Sequence, residues 1–220
     1  MDLLKLKDDE YARFQSRIIP GVAPESILGI RTPALRNIAK DISGTPEAEA
    51  FLKELPHEFF EQDQIHAFLI ARMKDPAAAL AEIERFLPFV DNWATCDQMN
   101  PKCLAKDKKL LMRYIKKWIR SKHPYSVRFG IKMLMDYFLK EDFDPSYPGT
   151  VAGIKSDHYY VKMMQAWYFA TAAAFRPETI DQIFELEPDI RKKAIQKSLE
   201  SYRVSDENKE ILRKWRREHE

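Results

Sequence analysis

Trp93 and Asp97 stand four residues apart in the stretch Phe89-Val90-Asp91-Asn92-Trp93-Ala94-Thr95-Cys96-Asp97. On a helix both project from one face, about one turn from each other. A carboxylate so placed can stabilise positive charge developing on a sugar and orient a water against it. An aspartate early in a helix is equally at home as a surface residue favoured by the helix dipole. The tryptophan either packs in a core or lies against a sugar or base face. Arg128, in Val127-Arg128-Phe129-Gly130-Ile131, opens an otherwise apolar segment. A guanidinium there requires an anion, either Asp97 of the same chain or a phosphate held by its fork of donors. Trp167 follows Arg128 by 39 residues, within the aromatic-rich run Tyr159 to Tyr168. It serves as core packing or lines the same face as Arg128.

Other chemistries find little support. His57, His66, His123, His158 and His219 lack metal-ligand spacing, so no metal site is expected. Cys96 and Cys103 are seven apart, without the context of a redox pair, and fit a structural role in a reducing compartment. No glycine-rich phosphate loop occurs, and no cofactor is expected. Ser26, Thr32 and Thr45 read as capping or turn residues, not nucleophiles.

A net charge of +2 conceals an asymmetry. Residues 1–100 hold 11 Lys/Arg against 17 Asp/Glu, whereas residues 102–140 hold 12 against 2 and residues 189–217 hold 10 against 5. Asp97 thus sits where the charge changes sign. The basic stretch includes Lys106, Lys109, Arg113, Lys116, Lys117 and Arg120, opposite the apolar side Leu110, Leu111, Tyr114, Ile115 and Trp118 of one helix. Such a surface is either solvated lysine-rich helix or a phosphate-binding patch. With 45% hydrophobic residues the 220-residue chain can bury a real core, and it is read as a single domain over 1–220. No run of 18 apolar residues suggests a membrane span, and Met1-Asp2-Leu3-Leu4-Lys5 does not lead into a signal peptide, so a cytoplasmic monomer is expected.

The elements that must position these residues are helices. Tyr11, Phe14 and Ile18 recur at helical spacing over Asp8–Ile19. Thr32-Pro33, Thr45-Pro46 and Asp75-Pro76 are start signals for helices over 34–42, 48–55 and 77–87. Helices are further expected over 58–73, 107–119, 126–139, 157–175, 178–185, 190–202 and 207–218, with Asp91 or Asn92 capping the short segment that carries Trp93 and Asp97. The stretch 141–154, rich in Asp, Pro and Gly, is the longest break. No segment alternates with period two. The fold class is all-α, and the buried helices near 126, 157 and 189, spaced by about 31 residues, favour an α-solenoid of degenerate helical hairpins over a globular bundle. A basic concave face of such a solenoid suits a duplex.

Several blocks in order resemble the AlkD-like DNA alkylation repair enzymes, which are HEAT-like-repeat DNA glycosylases. They are Phe14-Gln15-Ser16-Arg17, Gly29-Ile30-Arg31-Thr32-Pro33-Ala34-Leu35-Arg36, Val90-Asp91-Asn92-Trp93 with Asp97, Val127-Arg128-Phe129-Gly130, Tyr159-Tyr160-Val161-Lys162 through Trp167, and Lys193-Ala194-Ile195-Gln196-Lys197. The resemblance spans residues 8–215 and implies a HEAT-like superhelix. It makes Asp97 the catalytic carboxylate, with Trp93 and Trp167 as the two tryptophans of the active face and Arg128 as a phosphate contact. It further implies hydrolysis of the N-glycosidic bond of N3- or N7-alkylated purines in duplex DNA, without a deep pocket for the lesion. Here the motif is Asp-Asn-Trp-x-x-x-Asp instead of the doubled-tryptophan form. The alternatives are a catalytically silent nucleic-acid-binding solenoid and a helical-repeat scaffold for other proteins.

Overall fold

A computed structural model describes residues 2–219. Among the described residues there are helices, turns and no strand. The α-helices are α1 (Asp9–Ile18), α2 (Thr32–Ile42), α3 (Pro46–Lys53), α4 (Phe60–Arg72), α5 (Pro76–Phe86), α6 (Trp93–Gln98), α7 (Lys108–Trp118), α8 (Pro124–Phe138), α9 (Ser146–Ala152), α10 (Tyr159–Phe175), α11 (Ile180–Phe184), α12 (Pro188–Glu200) and α13 (Asp206–His219). None is long and apolar enough to cross a membrane.

The helix starts follow local chemistry. Asp8 accepts from the Tyr11 amide at 2.9 Å, Asp75 from Ala78 at 2.7 Å and Asn92 from Thr95 at 2.8 Å. Each satisfies an amide left without a partner in the first helical turn. Between the cap pairs Asp75 and Thr45 and their third residues, proline sits where no donor is needed.

The chain forms two compact units, Met1–Met112 and Arg113–Glu220. In the first, α2 packs on α4 and α4 on α6. In the second, α8 packs on α10 and α10 on α12. Helices two apart in sequence thus stack on one another, which is the layering of a solenoid of helical repeats.

The first unit is organised around α4, buried on nearly every side. Its Glu61 is fully buried, and its carboxylate accepts from three successive amides, Leu28 at 2.9 Å, Gly29 at 2.7 Å and Ile30 at 3.3 Å. Burial pushes the Glu61 carboxyl up, against the pull of those bonds. Gly29 has φ +79°, and a Cβ there would stand 2.1 Å from the Asp8 carbonyl oxygen, so only glycine fits. Further along α4, His66 Nε2 meets Glu82 at 2.8 Å and its Nδ1 meets His57 Nε2 at 2.9 Å. Burial lowers both imidazoles, His57 to about 4, so the chain works with neutral rings. His57 then donates to His66, which donates to the Glu82 carboxylate.

In the second unit, α8 comes close to the end of α7. A Cβ on Gly130 would lie 2.8 Å from the Ile119 side chain and 3.1 Å from Trp118. Trp118 and Phe129 meet edge to face, with centroids 5.0 Å apart.

Three expectations are corrected. The break at 141–154 contains α9; its Val151 carbonyl, and that of Ile154 just beyond its end, accept from the buried Gln165 amide at 2.8 and 3.0 Å. Tertiary hydrogen bonds thus order a Ser-Tyr-Pro-Gly sequence whose own propensity favours a turn. On α1 the expected apolar side is turned outward: Phe14 is 52% and Ile18 43% exposed, while Gln15 is buried. The segment 178–185 also divides, into a 3-10 turn at Pro177–Thr179 and the short α11.

Candidate active site and nucleic-acid interface

Asp97 lies in the last turn of α6, a helix of six residues. The helix is held from two sides. Asn92 caps its start, and buried Gln64 of α4 donates to the Thr95 hydroxyl at 2.8 Å. Cys96 and Met99 fill the core on either side of Asp97. The Asp97 side chain therefore has little choice but to face the opposite way.

It faces a cleft of about 680 Å³. The walls come from α2, the end of α4, α6 and the 3-10 turn Lys102–Lys106. Asp97 is the sole carboxylate among the lining residues, which include five cations, Arg36, Arg72, Lys74, Lys102 and Lys106. Arg36 is braced: it donates to the Gln98 side chain at 2.9 Å and lies 5.0 Å from the Phe68 ring centroid. Lys106 donates to the Lys74 carbonyl at 3.2 Å, tying the 3-10 turn to the end of α4. Cys103 also lines the cleft, as a buried thiol whose pKa is pushed up by burial, which suits packing and not nucleophilic attack. A polyanion would find a positive rim here, with one carboxylate inside it.

A family model described as DNA alkylation repair enzyme matches residues 1–185. The chain belongs to this family. No curated protein matches it significantly.

Of the residues singled out in this family member's sequence, Asp97 and Lys106 share the cleft. Trp93 does not line it. Its indole N–H donates to the Ile18 carbonyl at 2.9 Å, and its ring packs against the buried cluster of Ile19, Val22, Ile27 and Phe60. Four-residue spacing placed Trp93 and Asp97 on one side of the helix, but the partly buried Trp93 ring lies against that cluster and not along the cleft.

On α7, Leu111, Ile115 and Trp118 are buried, while Lys109, Arg113, Lys116 and Lys117 are exposed. The second unit of this alkylation repair chain holds Arg128 and Trp167. Arg128 is 5% exposed, and its guanidinium donates to the Tyr160 carbonyl at 2.8 Å. That bond joins α8 to the first turn of α10. Trp167 is 39% exposed and lines a hollow of about 350 Å³ with Lys197 and Arg203.

Sequence reasoning missed Arg36, Arg72, Lys74 and Lys102 as partners of Asp97. The first three come from the half of the chain that is net acidic, so a charge balance taken over long windows hides them. A usable signal was present: Arg72 is the last residue of α4, with Lys74 just past its cap, where cations are favoured by the helix dipole.

Proposed function

We propose that the protein is a monofunctional glycosylase that releases N3- or N7-alkylated purines from duplex DNA. Family membership supports alkylation repair, and the observation that carries the finer reading is the single carboxylate, Asp97, on the wall of a cleft with five cations. Alkylation at those ring nitrogens makes the base cationic and a good leaving group. The glycosidic bond breaks with its electron pair departing on the base, and little general-acid help is required. The enzyme must stabilise an oxocarbenium-like sugar and orient a water to attack it. Asp97 does both from the groove, and Arg36, Arg72, Lys74, Lys102 and Lys106 hold the neighbouring phosphates. Trp93 acts as a positioning residue, pinning the first turn of α6 through Ile18. The exposed cations of α7, Lys109, Arg113, Lys116 and Lys117, add salt-sensitive affinity. Arg128 holds α8 to α10, and Trp167 offers a ring to the DNA.

The test is release of 7-methylguanine from methylated duplex by wild type and by Asp97→Asn. The substitution keeps the cleft's volume and removes its negative charge. Loss of about a hundredfold or more in rate, with duplex binding retained, is expected. Salt-dependent duplex binding by a wild type that releases no base would make this a silent DNA-binding member of the family.

A further inference from the structure

Three exposed aromatic rings of the second unit surround one cationic ridge. Tyr159 is 55%, Trp167 39% and Tyr202 103% exposed, whereas large aromatic side chains otherwise mostly seek cover. Tyr159 and Trp167 both project from α10, two turns apart, and each stands in its own hollow between α10 and α12. The Tyr159 hollow is about 390 Å³, with Lys192, Lys193 and Arg216 in its wall. The Trp167 hollow is about 350 Å³, with Tyr202 and Arg203 in its wall. Both lie in the range of ~300–1,000 Å³ that accepts small organic groups. Lys197 and Glu200 of α12 line both hollows and so form the partition between them.

The ridge is charged for an anion. Glu200 is the sole carboxylate lining either hollow, and the Gln196 amide donates to it at 2.5 Å. Lys193 Nζ stands 5.7 Å from the Tyr159 centroid, and Arg216 donates to Gln196 at 3.4 Å. Cations are thus held beside a ring that is more than half exposed.

We propose that α10 and α12 bind an unpaired polynucleotide strand, its bases stacked singly on Tyr159, Trp167 and Tyr202 and its phosphates on Lys193, Lys197, Arg203 and Arg216. Eight residues of helix put Tyr159 and Trp167 about 12 Å apart along α10. Bases in a duplex are spaced about 3.4 Å along each strand and show their faces only at ends. Two rings in separate hollows therefore match a strand whose bases are splayed, not a continuous double helix. Stacking on aromatic faces tolerates any base, so the site reads strand form and not sequence. This inference does not rest on base release at Asp97, and it adds a second form of nucleic acid to the duplex substrate proposed above.

Fluorescence anisotropy of the full chain with labelled oligothymidylate, and with a duplex of similar length capped at both ends by a non-nucleotide linker, tests it. Wild type binds the oligothymidylate, and Tyr159→Ala/Tyr202→Ala weakens that binding by about fivefold or more for each ring removed while leaving the closed duplex unchanged. The exposure of both rings makes unfolding an unlooked-for result, and Lys197→Gln/Arg203→Gln provides a second reading. For that variant the salt dependence of oligothymidylate binding flattens by about 0.7 for each positive charge removed. The proposal is overturned if wild type does not bind oligothymidylate at low salt, if the aromatic variant binds it as tightly as wild type, or if both ligands weaken equally. Base release from methylated duplex, measured on the same proteins, reads the Asp97 cleft separately, so failure there leaves the strand-binding result standing.

Discussion

Arg36 of α2 donates its guanidinium to the side chain of Gln98, 2.9 Å away, the residue that follows Asp97. A cation from near the start of the chain is thereby fixed beside the proposed catalytic carboxylate. Its guanidinium also lies over the Phe68 ring. For Arg36→Ala, duplex affinity falls and the slope of log affinity against log salt becomes shallower by about 0.9, as for one lost phosphate contact. Thermal stability changes little, because an exposed polar pair contributes little to folding. Anisotropy titrations over a salt series, with a melt, check both. An unaltered slope would mean that Arg36 serves Gln98 and not DNA.

Trp93 gives a contrasting case. Trp93→Phe keeps an aromatic ring against Ile19, Val22 and Phe60 and removes only the bond to Ile18. The expected cost is about 0.5–1.5 kcal/mol in stability. Base release falls by less than about tenfold, well short of the loss in Asp97→Asn. Denaturant melts and single-turnover release rates separate the two. A loss as large as that of Asp97→Asn would place the indole in the chemistry itself.

Glu61 is a structural carboxylate despite its full burial. Three backbone amides depend on it, and they belong to the turn that contains Gly29. Glu61→Ala leaves those amides without an acceptor and costs about 3 kcal/mol or more, since bonds to charged groups contribute ~1.5–3 kcal/mol each. Glu61→Gln recovers only part, because its amide nitrogen offers a donor where acceptors are needed. Urea unfolding of the three proteins should rank them wild type, Gln, Ala.

Asp63 makes stability depend on pH. Burial in α4, with the Asp91 carboxylate nearby, pushes its carboxyl from 3.8 up to about 8. The folded chain keeps this proton where the unfolded chain has released it. Its contribution is complete below about 3.8 and is lost as pH rises through about 8. Asp63→Asn removes that dependence. Its melting temperature should match wild type near the acid end of the window and exceed it at the alkaline end, by about 2–4 °C for each kcal/mol recovered. Melts of both proteins at several pH values decide; parallel curves throughout would show that water reaches Asp63.

Much of the helical plan was legible because its signals are local. Asp8, Thr45, Asp75 and Asn92 cap helices as their types and the prolines after two of them suggest. The family likewise was visible in blocks of residues, and the match over residues 1–185 agrees with it. Signals that depend on partners were not legible. α9 forms in a Pro- and Gly-containing stretch because Gln165 of α10 bonds its Val151 carbonyl and that of Ile154 just after it. Phe14 and Ile18 follow helical spacing yet face outward, because periodicity tells which residues share a side and not which side meets the core.

The sequence by itself determined that this chain would be helical, where most helices begin, and that Asp97 and Lys106 merited a chemical role. Only the tertiary structure decided that Arg36, Arg72 and Lys74 join Asp97 in one cleft while the partly buried Trp93 ring packs against Ile19, Val22, Ile27 and Phe60. The physical reason is distance along the chain. Capping and helical period act within a few residues, whereas Arg36 and Gln98 are 62 residues apart and meet because α2 stacks on α4 and α4 on α6. That stacking is set by burial of apolar surface, which has no direction in the sequence and takes its geometry from the whole packed unit.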